Sequence, residues 1–153
     1  MSQGQQDFRA MNHAMVARVL ATPAQPIPAG GYALRVLEVA GRHRGRPART
    51  PIGVLDHDGR HYLVCPDRSR DWPRNLGKAG RAVILAEDVA EPVRATEVTG
   101  RAAAEVVAAY LRAVTTPWAV AAFGLPPNAT ADDAMAELGR MAVFELSPDP
   151  DAA

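Results

Sequence analysis

Three strand-like runs follow one another between Tyr32 and Cys65, with only short turns between them. The runs are Tyr32–Ala40, Thr50–His57 and Arg60–Cys65, and they hold many of the β-branched and aromatic residues that favour strands. Asp58-Gly59 between the last two runs is a hairpin signal. Parallel doubly wound folds need a helix between most strands. The segment therefore predicts an antiparallel three-strand meander.

The rest of the chain extends this meander into an α+β fold. The spacing of Phe8, Met11, Met15 and Val19 predicts an amphipathic helix over residues 7–21. We expect a split β-barrel of about six mainly antiparallel strands, with helices packed over its openings. After the meander, the predicted elements are a helix at Asp71–Lys78 with Asp71 as its cap, strands at Arg81–Glu87 and Pro92–Thr99, helices at 101–114, 118–123 and 130–138, and a strand at Met141–Leu146. Thr130-Ala131-Asp132-Asp133 resembles a capping box that opens the helix at 130–138.

The predicted organisation is an N-terminal helix and linker over residues 1–31, a single barrel domain over 32–148, and a tail over 149–153. The tail is expected to fray from Ser147. No apolar run is long enough to span a membrane and no signal segment opens the chain, so a cytoplasmic location is expected. Cys65 is the single cysteine, which excludes an internal disulfide and a cysteine-based zinc cluster. The four histidines show no metal-ligand spacing.

The charge is balanced overall but unevenly distributed. The formal net charge is +0, yet ten of the 17 Lys and Arg residues fall between Arg42 and Arg81. Only four acids share that segment. This positive zone is too small and too local to indicate nucleic-acid binding, and a small anionic molecule is the better partner.

The centre of this zone is the stretch from Gly41 to Pro51, which holds four arginines and a histidine without any acid. Glycine and proline here indicate a tight reversal between two strands. Arginine forks match phosphate oxygens in pairs, and backbone N–H groups in a glycine turn can hold an anion. The stretch is therefore interpreted as a phosphate-binding turn, with a solvated basic hairpin tip as the alternative.

A second candidate unit runs from Cys65 to Leu76. Trp72 and Asn75 lie three residues apart, so they share one face of the predicted short helix. They can contact a ring and an amide of a ligand, or Trp72 can pack the helix on the barrel. Cys65 is interpreted as a buried small residue rather than a nucleophile. Tyr110 lies on an apolar helix stripe and is a core residue or a proton donor.

Together these residues resemble a known family. The basic turn, the strand Tyr62-Leu63-Val64 and the motif Asp71-Trp72-x-x-Asn75-Leu76 are similar to the deazaflavin-dependent nitroreductases. The likeness continues through 109–113 to 144–146 and covers roughly residues 32–148. Members of that family have the split β-barrel fold related to the pyridoxamine-phosphate oxidases. The resemblance implies a reductase that takes a hydride from the reduced 8-hydroxy-5-deazaflavin coenzyme, coenzyme F-420.

The resemblance also implies where the coenzyme binds, with its phosphate on the basic turn and its ring against the loop before the Trp helix. His43 stands where the family usually has Lys or Arg, Ala48 where Arg is usual, and Arg44 where a small hydroxyl residue is common. Arg44, Arg46 and Arg49 can supply the missing charge with a different geometry. The implied cofactor-binding residues are Arg42, His43, Arg44, Gly45, Arg46, Arg49, Thr50, Pro51, Cys65, Pro66, Asp67, Arg68, Ser69, Trp72, Asn75 and Lys78.

Several alternatives stay open at this stage. Related barrels bind flavin mononucleotide (FMN), and a non-catalytic cofactor or small-molecule binder has the same sequence features. The acceptor is an electron-poor double bond, a quinone, or a nitro or enone compound, and its contacts are expected from the N-terminal helix and residues 115–129. The proton comes from water, Tyr110 or another hydroxyl. Split barrels commonly pair through strand faces, so a homodimer is expected.

Overall fold

The computed structural model describes residues 3–41 and 46–152, and within these ranges the chain forms six strands around which five helices pack. The helices are α1 (Gln3–Leu20), α2 (Asp71–Ala79), α3 (Gly100–Ala113), α4 (Pro117–Ala121) and α5 (Ala131–Glu137), the last followed by a 3-10 turn at Leu138–Arg140. The strands are β1 (Tyr32–Ala40), β2 (Pro47–His57), β3 (Arg60–Cys65), β4 (Arg81–Ala86), β5 (Val89–Glu97) and β6 (Ala142–Pro148).

The strands close into a barrel in the order β1-β2-β3-β6-β5-β4, and every neighbouring pair is antiparallel. The predicted meander of the first three strands and the α+β split-barrel class are confirmed. The barrel has two ends that matter below. At the turn end, β1 and β3 finish and β2 and β4 begin. At the far end, β1, β3 and β5 begin and β2, β4 and β6 finish.

The barrel interior is filled by alternate side chains of the strands. Leu37, Leu63 and Phe144 are almost fully buried there, as expected for the inward positions of a small barrel. Helix α2 covers the turn end by inserting Trp72 and Leu76 into the same cluster. This matches the predicted helix over a barrel opening.

The other helices pack on the outer wall of the barrel. Helix α3 forms a second cluster with β2, β3 and β6, and Val107 and Phe123 are buried in it. Helix α1 lies across β1, β2 and β4, where Val16 and Val19 contact Val36. No helix in the described part of the chain is long and apolar enough to cross a membrane.

Three local expectations are corrected. Met11 does not lie on the buried stripe of α1, because 71% of it is exposed and Val16 takes the inner position. Helix α2 is not capped by Asp71, which lies in its first turn; its N-cap residue is Arg70. The chain does not fray from Ser147, because β6 continues to Pro148 and Asp149 then pairs with arginines of β4 and β5.

Candidate functional site

The predicted phosphate-binding turn lies between β1 and β2, as expected. Ala40 is opposite Pro47 in the register, and the N–H of Gly41 donates to the carbonyl of Arg46 at 2.7 Å. This bond closes the base of the connection. Arg42, His43, Arg44 and Gly45, which were also predicted to hold the phosphate, lie outside the described residues.

The remaining members of the predicted phosphate side divide between the two faces of β2. Arg46 is exposed just before the strand. Thr50 is opposite Leu37 in the register and therefore shares its inward face at the turn end, whereas Pro51 is opposite Val36 and faces outward. Arg46 and Thr50 are thus available at the turn end, whereas Pro51 lies on the outer face of the barrel.

Arg49 has a partner that the sequence interpretation did not name. Its Nε donates to Oε2 of Glu38 at 2.8 Å across the β1–β2 ladder, and half of the Arg49 side chain remains exposed. Glu38 is more buried, with 24% of its side chain exposed. An incoming phosphate would therefore meet an arginine already oriented by a carboxylate. The register alone could have indicated this pair, because closure at Ala40 and Pro47 places Glu38 opposite Arg49.

The predicted ring-side loop starts at the end of β3 and is internally bonded. Cys65 is fully buried, and its thiol donates to the carbonyl of Asp67 at 3.2 Å. Burial raises the pKa of Cys65, so the thiol stays protonated at neutral pH. The side-chain and backbone donors of Ser69 bond Asp67 at 2.6 and 2.9 Å and lower the pKa of Asp67. Pro66 is buried between these residues.

Two arginines attach this loop to the start of β6. Arg68 donates to the carbonyl of Met141 at 3.2 Å and to the carboxylate of Glu97 at 2.9 Å. Arg140 donates to the carbonyls of Phe123 and Pro66, the latter at 3.4 Å. Because Arg140 is 74 residues from Pro66, no local pattern indicated its role. The loop is therefore held by these side chains and by a backbone bond, in which the N–H of Arg68 donates to the carbonyl of Arg140 at 2.9 Å.

Helix α2 positions the last three predicted residues. Trp72 and Asn75 lie on one face as predicted, and both are buried. The Trp72 ring lies 6.2 Å from the Phe144 ring, tilted by 52°. The packing role that the sequence left open for Trp72 is thus present, and its coenzyme contact stays a prediction. Lys78 is exposed.

Tyr110 lies close to this loop although it belongs to α3. Its ring packs against Phe123 with centroids 5.3 Å apart. Burial raises the pKa of Tyr110 to about 12, and the ionisable groups of Tyr32, Cys65 and Arg70 are near enough to act on it electrostatically. A phenol with this pKa keeps its proton at neutral pH and is a hydrogen-bond donor.

Three cavities in the described ranges have different surroundings. One of about 420 Å³ lies at the far end of the barrel, and one of about 180 Å³ lies beside Arg68 and Met141. The third, of about 410 Å³, lies between α1 and β1 and is lined by Met15, Tyr32 and Leu34 among others. Of the predicted coenzyme residues that the structure describes, only Arg68 lines any of the three.

Comparison with known proteins identifies a family for this arrangement. A family model described as F420H(2)-dependent quinone reductase matches residues 9–122. The match includes the β1–β2 connection, the loop after β3, α2 and most of the barrel. A comparison with curated proteins found no match.

Two solved structures are similar to this chain, and the first of them shares its fold. A Clostridium acetobutylicum protein related to general stress protein 26, of the pyridoxinephosphate oxidase family, is 15% identical with a TM-score of 0.50. The alignment covers 75% of this chain and 74% of that one. General stress protein 26 of Bacillus anthracis is 10% identical, with 89% and 88% covered and a TM-score of 0.47. At such identities the first likeness shows the barrel fold and no more.

Proposed function

Since the chain belongs to the F420H(2)-dependent quinone reductase family, we propose that it reduces a quinone at the turn end of the barrel. Family membership makes the protein an oxidoreductase and makes reduced coenzyme F420 its cofactor. The single observation that carries the proposal is the match over residues 9–122, because it spans both units that bear the predicted coenzyme residues.

The donor set at the turn end fits the phosphate of this coenzyme. Arg46 is exposed, and Arg49 is half exposed with Nε fixed by Glu38. Planar guanidinium groups bind phosphate oxygens through paired, charge-assisted hydrogen bonds. In the proposed complex, these two arginines hold the phosphate while the loop of residues 65–69 supports the ring.

The protein's contribution to the reaction is orientation and proton supply. When bound, the reduced coenzyme supplies a hydride, and a quinone that gains one hydride and one proton becomes a hydroquinone. The loop is fixed by Arg68 and Arg140, which keeps the two reactants in one orientation. Tyr110 keeps its proton at neutral pH and lies near Cys65, where the predicted ring side begins, so its hydroxyl is a candidate donor.

The cavity between α1 and β1 is the proposed entry for the apolar quinone. It is about 410 Å³ in volume, and Met15, Val19 and Leu34 give it apolar walls. Its lining residues Tyr32 and Leu34 begin β1, so the cavity lies toward the far end of the barrel. Tyr32 also acts electrostatically on Tyr110, which is the proposed link between this cavity and the loop that follows β3. The N-terminal helix was expected to contribute substrate contacts, and this cavity supports that expectation.

The proposal is tested by binding and turnover in parallel. Coenzyme F420 and FMN are titrated against the purified protein, with ligand fluorescence as the readout. Oxidation of the reduced coenzyme is then followed with menadione as the quinone, 2-cyclohexenone as the enone and nitrobenzene as the nitro compound. We expect F420 to bind in preference to FMN and menadione to be the best acceptor.

Other results separate the parts of the proposal. Binding of FMN without F420 would show that the assignment of the cofactor is wrong while the phosphate site stands. If F420 binds but menadione oxidises the reduced coenzyme no faster than 2-cyclohexenone does, the proposal that the acceptor is a quinone would be rejected. Absence of binding of either cofactor below about millimolar concentration would reject the coenzyme site altogether.

A further inference from the structure

The cavity at the far end of the barrel lies away from the proposed coenzyme residues. Its volume is about 420 Å³, within the range of about 300–1,000 Å³ typical of ligand pockets. Among the predicted coenzyme residues that the structure describes, none lines it. Its apolar wall is made by side chains from the linker and four strands: Ile27, Val54, Ile84, Val89, Val93 and Leu146.

One buried arginine enters this cavity from β1. Arg35 is opposite Ile52 in the register and therefore points to the barrel interior. Only 6% of Arg35 is exposed. Its guanidinium donates to the carbonyls of Leu34 at 2.9 Å and Gln25 at 2.7 Å. Backbone carbonyls satisfy N–H groups but do not neutralise the positive charge.

The acids around the cavity leave this charge without a close partner. Glu145 pairs with Arg60 at 3.3 Å, and Asp56 lies 3.9 Å from His61. Asp88 and Glu91 attract the Arg35 charge from a distance, yet burial still lowers the pKa of Arg35. No ion pair joins Arg35 to an acid in the part of the chain that the structure describes. Because a buried charge is costly unless paired, an anion at this position would be stabilised.

We propose that the far-end cavity binds a small amphiphilic monoanion, with its carboxylate on Arg35 and its hydrocarbon body against the apolar wall. The site is separate from the coenzyme residues and goes beyond the proposed quinone reduction. The fork of Arg35 favours a planar carboxylate, and the wall formed by Val54, Ile84 and Val93 favours an unbranched alkyl chain. Glu91 at the rim disfavours a second negative charge on the ligand.

The test compares two probes that differ in their head group. Octanoate and 1-octanol are titrated by calorimetry into the wild-type protein without coenzyme. A charge-assisted hydrogen bond to Arg35 predicts that octanoate binds at least about tenfold more tightly than 1-octanol. Equal affinities in the wild type, or no octanoate binding at millimolar concentration, would overturn the proposal.

Variants then locate the site. In Arg35→Met, which keeps most of the side-chain volume, we expect octanoate to lose its advantage and 1-octanol to bind as before. Arg60→Met changes a rim arginine whose side chain is 67% exposed, and should alter octanoate binding by less than about threefold. Arg49→Ala at the turn end should not alter it. If Arg49→Ala abolishes octanoate binding, the anion occupies the phosphate residues and the proposal is wrong.

A folding control keeps the test decisive. If circular dichroism shows that Arg35→Met does not fold, Arg35→Lys retains the charge and loses the planar fork. Octanoate should then bind several-fold more weakly while 1-octanol is unchanged. Recognition of the carboxylate by Arg35 would be ruled out if octanoate binds Arg35→Lys as tightly as the wild type and if the wild type binds octanoate and 1-octanol equally.

Discussion

The pair formed by Glu38 and Arg49 gives the sharpest test of the proposed phosphate site. Glu38 is mostly buried and fixes the Arg49 Nε at 2.8 Å, so a phosphate and Glu38 compete for the same guanidinium. Arg49→Ala removes the donor and leaves the carboxylate facing the phosphate. Glu38→Gln removes the competing charge and keeps a hydrogen-bond acceptor. The two substitutions therefore move coenzyme affinity in opposite directions.

The magnitudes follow from the exposure of the pair. A hydrogen bond to a charged group contributes about 1.5–3 kcal/mol, and exposure of half of Arg49 reduces this to about 1–2 kcal/mol. Arg49→Ala should therefore weaken F420 binding by about 5- to 30-fold. Glu38→Gln should strengthen it by about two- to fivefold, which corresponds to about 0.4–1 kcal/mol. Both variants should remain folded, because an ion pair whose arginine is half exposed contributes only about 0–1 kcal/mol to stability.

The assay is fluorescence titration of F420 at two salt concentrations, with two controls. Glu87→Gln makes the same charge change in the exposed β4–β5 turn at the far end of the barrel. It should alter affinity by less than twofold, because at about 0.1 M salt charges beyond about 10 Å are screened. Arg112→Ala on the exposed face of α3 should likewise have little effect. If Glu87→Gln strengthens binding as much as Glu38→Gln, or if Arg49→Ala leaves affinity unchanged, Arg49 does not hold the phosphate.

Four further measurements follow from the structure. Leu34→Asp in the cavity beside α1 should raise the KM for menadione without changing F420 affinity, and equal loss of both would contradict separate sites. Trp72→Phe should lower the free energy of unfolding by about 1–2 kcal/mol in urea, because the ring fills the turn end against Phe144. Spectrophotometric titration should show one tyrosine that ionises near pH 12, and this ionisation should be absent in Tyr110→Phe. Because folding raises the pKa of Tyr110 from 10.0 to about 12, the free energy of unfolding should fall as pH rises from about 10 to about 12. Light scattering at micromolar concentration should give the mass of a homodimer, and a monomer mass would reject that expectation.

The strands were predictable because their signals are local. Tyr32–Ala40 and Arg60–Cys65 have the bounds that their strand-favouring residues and the Asp58-Gly59 turn indicated. The capping box at Thr130 is present as well, with Thr130 Oγ1 accepting from the Asp133 N–H and Asp133 accepting in return. Each of these signals lies within a few residues of the element that it defines.

Features that depend on distant partners were not predictable in the same way. Helix α1 packs against Val36 of β1 and Leu85 of β4, which determines which of its faces is buried. Met11 lies outside that face and is exposed. The attachment of the ring-side loop depends on Arg140, whose partner carbonyls belong to Pro66 and Phe123. A single sequence indicates which residues are charged, but not which carbonyl a folded barrel will bring to them.

The first half of β1 shows where sequence rules and structure disagree most. Leu34 is 52% exposed and its neighbour Arg35 is 6% exposed, the reverse of the usual preference. A buried arginine beside an exposed leucine is expected where the residues serve a functional site rather than stability. Replacing a buried charge by an apolar side chain of similar volume is often neutral or stabilising. Arg35→Met, which loses two hydrogen bonds to carbonyls, should therefore be no more than about 1–2 kcal/mol less stable than the wild type. Loss of the octanoate preference at nearly unchanged stability would identify Arg35 as a ligand-binding residue, whereas a much larger loss of stability would identify it as a structural tie between the linker and the barrel.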